Sequence, residues 1–279
     1  MVEEKMSVFE AIFLGVIQGL TEFIPVSSSG HLVLFRQIFG VGAPPLAFDT
    51  AVHIGTLVAV FAVLWKDIVA VLKKVVQPLT LYLIIGTIPG VVAALMFRGW
   101  LEGTFETGNY LGFAFLGTSL LLVTAELLAK RAAKHSLRKP GEMNWLDALI
   151  IGVCQAIALI PGISRSGATL SGALSRGLNR DFAARYSFML SIPIILGATL
   201  FQIVEQFLGV EPTATEVTGE PIGPLAIIIG AVTAAVVGFF AVRLMLKIVR
   251  EKSLWGFAVY TGILGVLVLI DQFSLNVVF

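Results

Sequence analysis

At 279 residues, with 57% hydrophobic and 13% charged side chains, the chain is too apolar for an ordinary soluble domain, where about a quarter of residues are charged. Its formal net charge of +1 leaves no electrostatic footprint for nucleic acid, and no nucleic-acid partner is expected. A single cysteine, Cys154, excludes an intrachain disulfide and reads as a packing residue in an apolar helix. The composition is that of an all-α polytopic membrane protein, one membrane domain over 1–279. Residues 1–5 lack the features of a signal peptide.

In chain order, residues 8–24 are apolar but cover only roughly 17 positions, the short limit for a crossing. Residues 31–39 read as a short amphipathic helix stopped by Gly40 and Pro44-Pro45. Together the two segments predict a re-entrant hairpin. Its tip, Gln18-Gly-Leu-Thr-Glu22-Phe-Ile-Pro25-Val-Ser27-Ser28-Ser29-Gly30-His31, collects an amide, a carboxylate, three hydroxyls and an imidazole. Helical spacing puts Gln18 and Glu22 on one face. Pro25 should stop that helix, and the Ser-Ser-Ser-Gly run has turn chemistry. Ionisable groups at membrane depth are functional-site candidates, and non-helical backbone there has to line a cavity or be buried in protein.

Crossings are expected next at 48–64, closed by Trp65-Lys66; at 79–97, interrupted by Gly86 and Pro89-Gly90; and at 111–128. A loop at 98–109 carries Glu102 and Glu106, and a basic loop follows 128 with Lys130, Arg131, Lys134, Arg138 and Lys139. Residues 145–160 with Pro161, then 171–178, predict a second hairpin. Further crossings follow at 186–207, 225–246 and 255–270, with an acidic loop at 209–222 and the cations Lys247, Arg250 and Lys252 closing the second of them.

The chain repeats itself. A gapless shift of 137 residues carries Gly15 onto Gly152, Gln18 onto Gln155, Ser27 onto Ser164, Ser29 onto Ser166 and Gly30 onto Gly167. Ser7 with Glu10 and Asn144 with Asp147 each predict a capping box at the matching helix start. Later, Ile84-Ile85-Gly86 matches Ile228-Ile229-Gly230, and Gly112-Phe113-Ala114 matches Gly256-Phe257-Ala258. The halves are about 1–139 and 140–279. The copies diverge where chemistry would differ: Glu22 faces Leu159, Ser28 faces Arg165, and His31 faces Ala168.

The positive-inside rule sends the basic loops at 66–74, 130–139 and 243–252 to the cytoplasm, and the acidic loops outside. The second hairpin then enters from the cytoplasmic side and the first from outside, with both termini outside. Three crossings plus one hairpin per half make the repeats inverted, with the tips meeting near the midplane.

Chemically, each tip places a Ser/Gly turn before a helix, an anion site of free amides backed by the helix dipole. Arg165 adds a bidentate donor suited to phosphate. Glu22 and His31 supply acid–base capacity, and Ser28 a nucleophile. The sum points to phosphoryl transfer on a lipid-borne phosphate. Plainer readings stand beside this one. Arg165 could pair with a carboxylate across the bundle, and His53, with Asp49 one turn earlier, reads more simply as a helix–helix hydrogen-bonder. His135 is a solvated loop residue, and the three histidines have no metal-ligand spacing.

The tip sequence above and Pro161-Gly-Ile-Ser-Arg165-Ser-Gly-Ala-Thr169 closely resemble the two signature motifs of the bacterial undecaprenyl-diphosphate phosphatases of the integral-membrane, bacitracin-resistance type. The likeness covers essentially the whole chain, repeat included. It implies hydrolysis of undecaprenyl diphosphate to the monophosphate carrier lipid with a divalent cation (Mg or Ca), in the bacterial plasma (inner) membrane, with the site opening to the outer, periplasmic face. It places the acid on Glu22, the nucleophile on Ser28, the imidazole on His31, and phosphate binding on Ser164, Arg165 and Thr169. With the tip geometry, Gln18, Ser27, Ser29, Gly30, Ser166 and Gly167 join the expected substrate contacts, and Glu22 is the expected metal ligand. The first motif position, often Glu, is Gln18 here, so one carboxylate is missing for a metal or base. A homodimer is compatible with the resemblance. The rival class is a lipid-phosphate flippase or transporter using the same midplane site. The unequal tips discriminate, since a pure binding site could manage with symmetric donors.

Overall fold

The computed structural model describes residues 6–39, 46–97, 99, 110–133, 137–208, 223–275 and 277–278. The acidic stretches at 98–109 (Gly99 aside) and 209–222, residues 1–5, Pro44-Pro45, Lys134 and His135 lie outside the described residues.

The first half runs α1 (Val8–Thr21), α2 (Ser28–Phe39), α3 (Leu46–Val63), α4 (Trp65–Lys73), α5 (Pro78–Met96) and α6 (Leu111–Ala133). The second runs α7 (Trp145–Ile157), α8 (Arg165–Ser175), α9 (Arg180–Leu208), α10 (Pro224–Glu251) and α11 (Trp255–Ile270), with a π turn at Asp271–Leu275. Both expected capping boxes form, Ser7 with Glu10 and Asn144 with Asp147. α5, α6, α9, α10 and α11 are long and apolar enough to cross a membrane, and α3 with α4 passes the same test as a pair bent by 80°. The molecule is a polytopic helical membrane protein.

Several boundaries differ from the sequence reading: α9 starts at Arg180 rather than 186, α10 runs on to Glu251 rather than 246, and the expected basic loop at 66–74 is the helix α4. α5 continues through Pro89 without a break; membrane helices absorb a proline where neighbours cover the freed carbonyl. α2 begins at Ser28 rather than His31, and α8 at Arg165 rather than 171. In both cases the first serine of the Ser-x-Ser-Gly run caps the helix and the residues after it form the first helical turn.

The hairpins are exchanged between halves. α1 packs on α10, and its sequence counterpart α7 packs on α5, the counterpart of α10. Glycines set both crossings: a Cβ on Gly15 would lie 2.6 Å from the Gly230 carbonyl oxygen, and one on Gly152 would lie 2.6 Å from that of Gly86. Backbones this close leave no room for a methyl, the small-residue contact by which membrane helices associate. α6 and α11, also counterparts, pack on each other.

The cationic helix ends are pinned to one another. Arg180 at the start of α9 donates to Glu126 of α6 at 2.6 Å and to the Lys252 carbonyl at 3.1 Å. Arg185 reaches Asp67 of α4 at 2.8 Å. Buried Asp147 takes Arg138, from the connection between the halves, at 2.8 Å and Arg176 at 2.8 Å.

Candidate active site

The first tip is made by a stop and a cap. α1 ends at Thr21, Glu22 closes it with its amide on the Gln18 carbonyl at 3.0 Å, and Pro25 forces the chain into a turn. The turn resolves at Ser27, whose φ of 75° is the left-handed conformation that non-glycine residues rarely adopt. Such strain persists only where its surroundings over-determine it. Here the Ser27 hydroxyl accepts the Gly30 amide at 3.1 Å, and its carbonyl accepts the His31 amide at 3.2 Å. Ser28 is thereby the first residue of α2.

The second tip uses the same cap at ordinary backbone angles. The Ser164 hydroxyl accepts the Gly167 amide at 3.1 Å, and the Ser164 amide donates to Thr118 at 3.0 Å. Its positive φ, 85°, sits two residues earlier at Gly162, the counterpart of Pro25. Proline cannot take that φ, so the first tip makes its turn two residues later. Arg165 is the first residue of α8.

The tips touch, and Glu22 is the centre of the contact. One of its oxygens accepts the Ser28 hydroxyl at 2.6 Å and the Gln18 amide at 3.0 Å. The other pairs with the Arg165 guanidinium. Ser166 donates to the Ile24 carbonyl at 3.2 Å across the same junction. Glu22 is buried, while Ser28, Ser29 and Arg165 keep partial access. The amides of Ser28 and Ser29, and those of Arg165 and Ser166, have no hydrogen-bond partner among the described residues. Each helix therefore presents two free N–H groups at its positive end. The plainer reading of Arg165 holds in this structure, since its anion is Glu22.

The other expected substrate contacts are held internally. Ser27 and Ser164 are caps, each 3.4 Å and 3.2 Å respectively from the hydroxyl of Ser29 or Ser166. Thr169 is fully buried, bonded to the Arg165 carbonyl at 2.9 Å and to Ser187 at 2.6 Å. Space is tight at both glycines: a Cβ on Gly30 would lie 2.9 Å from the Phe115 ring, and one on Gly167 would lie 3.1 Å from the Ser164 side chain.

His31 points away from Glu22. Its Nδ1 lies 2.7 Å from the Ser27 carbonyl, which can only accept, so Nδ1 carries the proton. Nε2 then accepts from the Tyr260 hydroxyl at 2.7 Å, and the two rings stack at 5.7 Å. His53 of α3 comes instead to the carboxylate. Its Nδ1 donates to the Asp49 carbonyl at 2.7 Å, leaving Nε2 facing Glu22 at 3.9 Å. Sequence reasoning set His53 aside and missed Tyr260. The signal for His53 was its position on an early turn of the crossing that follows the first hairpin; for Tyr260, on α11, there was none.

Among the described residues no group of three or more His, Cys, Asp or Glu could hold a metal ion. One oxygen donor does lack a partner: the Gln18 Oε1 is buried and unbonded beside Glu22. One carboxylate and one amide oxygen fit a cation that keeps further positions for substrate phosphates, as Mg²⁺ does.

Compared with known proteins, residues 11–267 match the family described as bacitracin resistance protein BacA. The chain is 44% identical over 267 residues to the undecaprenyl-diphosphatase of Carboxydothermus hydrogenoformans, covering 96% of this chain and 98% of that one. It is 42% identical over 269 residues to undecaprenyl-diphosphatase 4 of Bacillus thuringiensis subsp. konkukian, covering 96% and 99%. With the undecaprenyl-diphosphatase of Methanosphaera stadtmanae the identity is 34% over 287 residues, covering 95% and 98%.

Proposed function

Because the chain belongs to the bacitracin resistance protein BacA family, we propose that it hydrolyses undecaprenyl diphosphate to undecaprenyl phosphate and inorganic phosphate where its two tips meet. The observation that carries this reading is the contact set on Glu22: a helix-terminal hydroxyl from one tip and a guanidinium from the other share one buried carboxylate.

The terminal phosphoryl group lies against the free amides of both helices, whose positive ends favour its charge. It takes Arg165 from Glu22, and the planar fork meets the equatorial oxygens where charge is spread in the transition state. Glu22 is left with Ser28 and Gln18. Ser28 Oγ attacks the terminal phosphorus and gives its proton to Glu22, while the bond from that phosphorus to the bridging oxygen breaks. The prenyl monophosphate leaves, taking up the proton from Glu22. Water then attacks the phosphoserine, passes its proton to Glu22, and inorganic phosphate departs as Ser28 Oγ recovers that proton. Glu22 is the base in this reading. His31, held by Ser27 and Tyr260, positions the tip, and His53 faces Glu22 as a second proton acceptor. A divalent cation would be held by Glu22 and the Gln18 Oε1 and would neutralise phosphate charge.

The halves form an inverted-topology repeat, a reading supported by the exchanged packing of α1 on α10 and α7 on α5. The pinned cationic ends face the cytoplasm of the plasma membrane, and the site opens to the outer face. The unequal tips favour hydrolysis over transport: a carrier has no use for a hydroxyl placed on a carboxylate.

The test is phosphate release in detergent from undecaprenyl diphosphate, and from farnesyl diphosphate as a short surrogate, with and without EDTA. One phosphate per lipid, suppressed by EDTA, is expected. Movement of the lipid across vesicles with no phosphate released would overturn the reading in favour of a flippase.

A further inference from the structure

The last turns of α10 carry Arg243, Lys247 and Arg250 on one helical face. They line a pocket of about 550 Å³ closed by Asp181 and Arg185 of α9 and by Val63 at the end of α3. None of these residues belongs to the tips.

The cations are unevenly matched. Arg185 is held at 2.8 Å by both Asp181 and Asp67. Among the described residues Arg250 pairs only with its exposed neighbour Glu251, at 3.0 Å. Arg243 and Lys247 pair with no carboxylate among the described residues, and Arg243 instead lies 5.4 Å over the ring of Phe239. The pocket therefore keeps a positive surplus.

Its depth can be read from α3 and α4. Val63 is the last residue before the 80° bend at which the chain leaves the crossing direction. Trp65, just beyond, is 60% exposed, as an aromatic anchor at the membrane–water boundary would be. α4 then ties back to the pocket through Asp67 and Arg185. On the other side, Leu244 and Phe240 expose apolar surface along α10 toward the hydrocarbon. The pocket is thus cationic at headgroup level and continuous with an apolar face.

We propose that it binds the head group of an anionic phospholipid, the phosphate diester between Arg243 and Lys247 and an acyl chain along Leu244. The positive-inside rule asks only for cations on one side of the membrane. It does not ask that they surround a concavity, or that the acids present be spent on Arg185. Basic pockets between membrane helices on the cytoplasmic side are where such head groups bind. The occupant is a lipid because the wall beside the cations is apolar and faces the bilayer.

The experiment is native mass spectrometry of the purified full-length protein titrated with phosphatidylglycerol or phosphatidylcholine. Wild type is expected to retain phosphatidylglycerol selectively. The double variant Arg243→Gln/Lys247→Gln should retain it roughly thirtyfold more weakly, for the loss of two cations near the surface. Leu246→Trp, which keeps every cation but narrows the pocket, should lose selective retention too. Both variants should keep wild-type phosphate release in detergent. Undiminished retention by the double variant would overturn the proposal. Undiminished retention by Leu246→Trp would also overturn it, assigning the effect to diffuse surface charge. Displacement of the lipid by millimolar inorganic phosphate would reassign the pocket to the free anion.

Discussion

The two tips are one backbone device built twice and given different chemistry. In each, a serine caps a helix by accepting the amide three residues on, at 3.1 Å. In each, a second serine stands at the second helical position and a glycine at the third. In each, a buried glutamine one segment earlier leaves its Oε1 unbonded. Among the positions where the copies part are the first helical one, where one has Ser28 and the other Arg165, and that of Glu22, where the other has Leu159. Gln18 accordingly bonds Glu22, while Gln155 bonds the Gly86 carbonyl at 3.3 Å. What the symmetric parts do is expose amides. What the asymmetric parts do is bring one acid, one hydroxyl and one guanidinium together, so that neither tip is a site alone.

Substitutions at the unequal positions should therefore hurt most. Ser28→Ala removes the proposed nucleophile but no cap, and turnover should fall roughly 10⁵-fold while labelled farnesyl diphosphate still binds; phosphate release and equilibrium binding read the two separately. Near wild-type turnover would remove Ser28 from the mechanism. Glu22→Gln keeps the shape but loses both the proposed base and the charge partner of Arg165. An activity loss of about 10³-fold is expected, with a lowered melting midpoint in detergent because a partly buried guanidinium loses its charge partner. If that protein hydrolyses normally, the base lies elsewhere and His53, which faces the same carboxylate, becomes the leading candidate.

Arg165→Lys tests whether the second tip contributes charge or shape. An ammonium cannot make the forked contact, so the rate should fall about 10²-fold despite the conserved charge; full activity would reduce Arg165 to the structural partner of Glu22. The smallest effect compares the caps themselves. Ser27→Gly loses a cap but relieves a φ of 75°, whereas Ser164→Gly loses the cap and loosens an ordinary backbone. The second should be the more destabilising by about 1 kcal/mol, read as the difference in melting midpoints. Equal shifts would mean that Ser27 carries no strain.

The serines illustrate how far local reasoning reaches. Ser7, Asn144 and the glutamine–glutamate spacing of the first tip were legible because caps and i, i+4 pairs are settled within one turn of helix. The helical start at Ser28 was not, because the same serines suit a turn, and only the left-handed Ser27 shows that the turn is finished before them. Thr169 fitted the phosphate-binding motif, yet its hydroxyl lies under α9 on Ser187, a contact that depends on how α8 and α9 pack.

By itself the sequence determined the membrane class, the segments long enough to cross, the repeat, and the kinds of group gathered at each tip. Those follow from transfer free energies and helix periodicity, which act on neighbouring residues and need no partner. Tertiary structure alone decided that Arg165 meets Glu22, that His53 and not His31 faces that carboxylate, that Tyr260 holds His31, and that each hairpin packs on a helix of the other half. These contacts join residues far apart in the chain and depend on how the helices pack, including how closely the glycine-lined faces of α1 and α7 let α10 and α5 approach. No local propensity encodes that distance. It emerges only when all the helices pack at once.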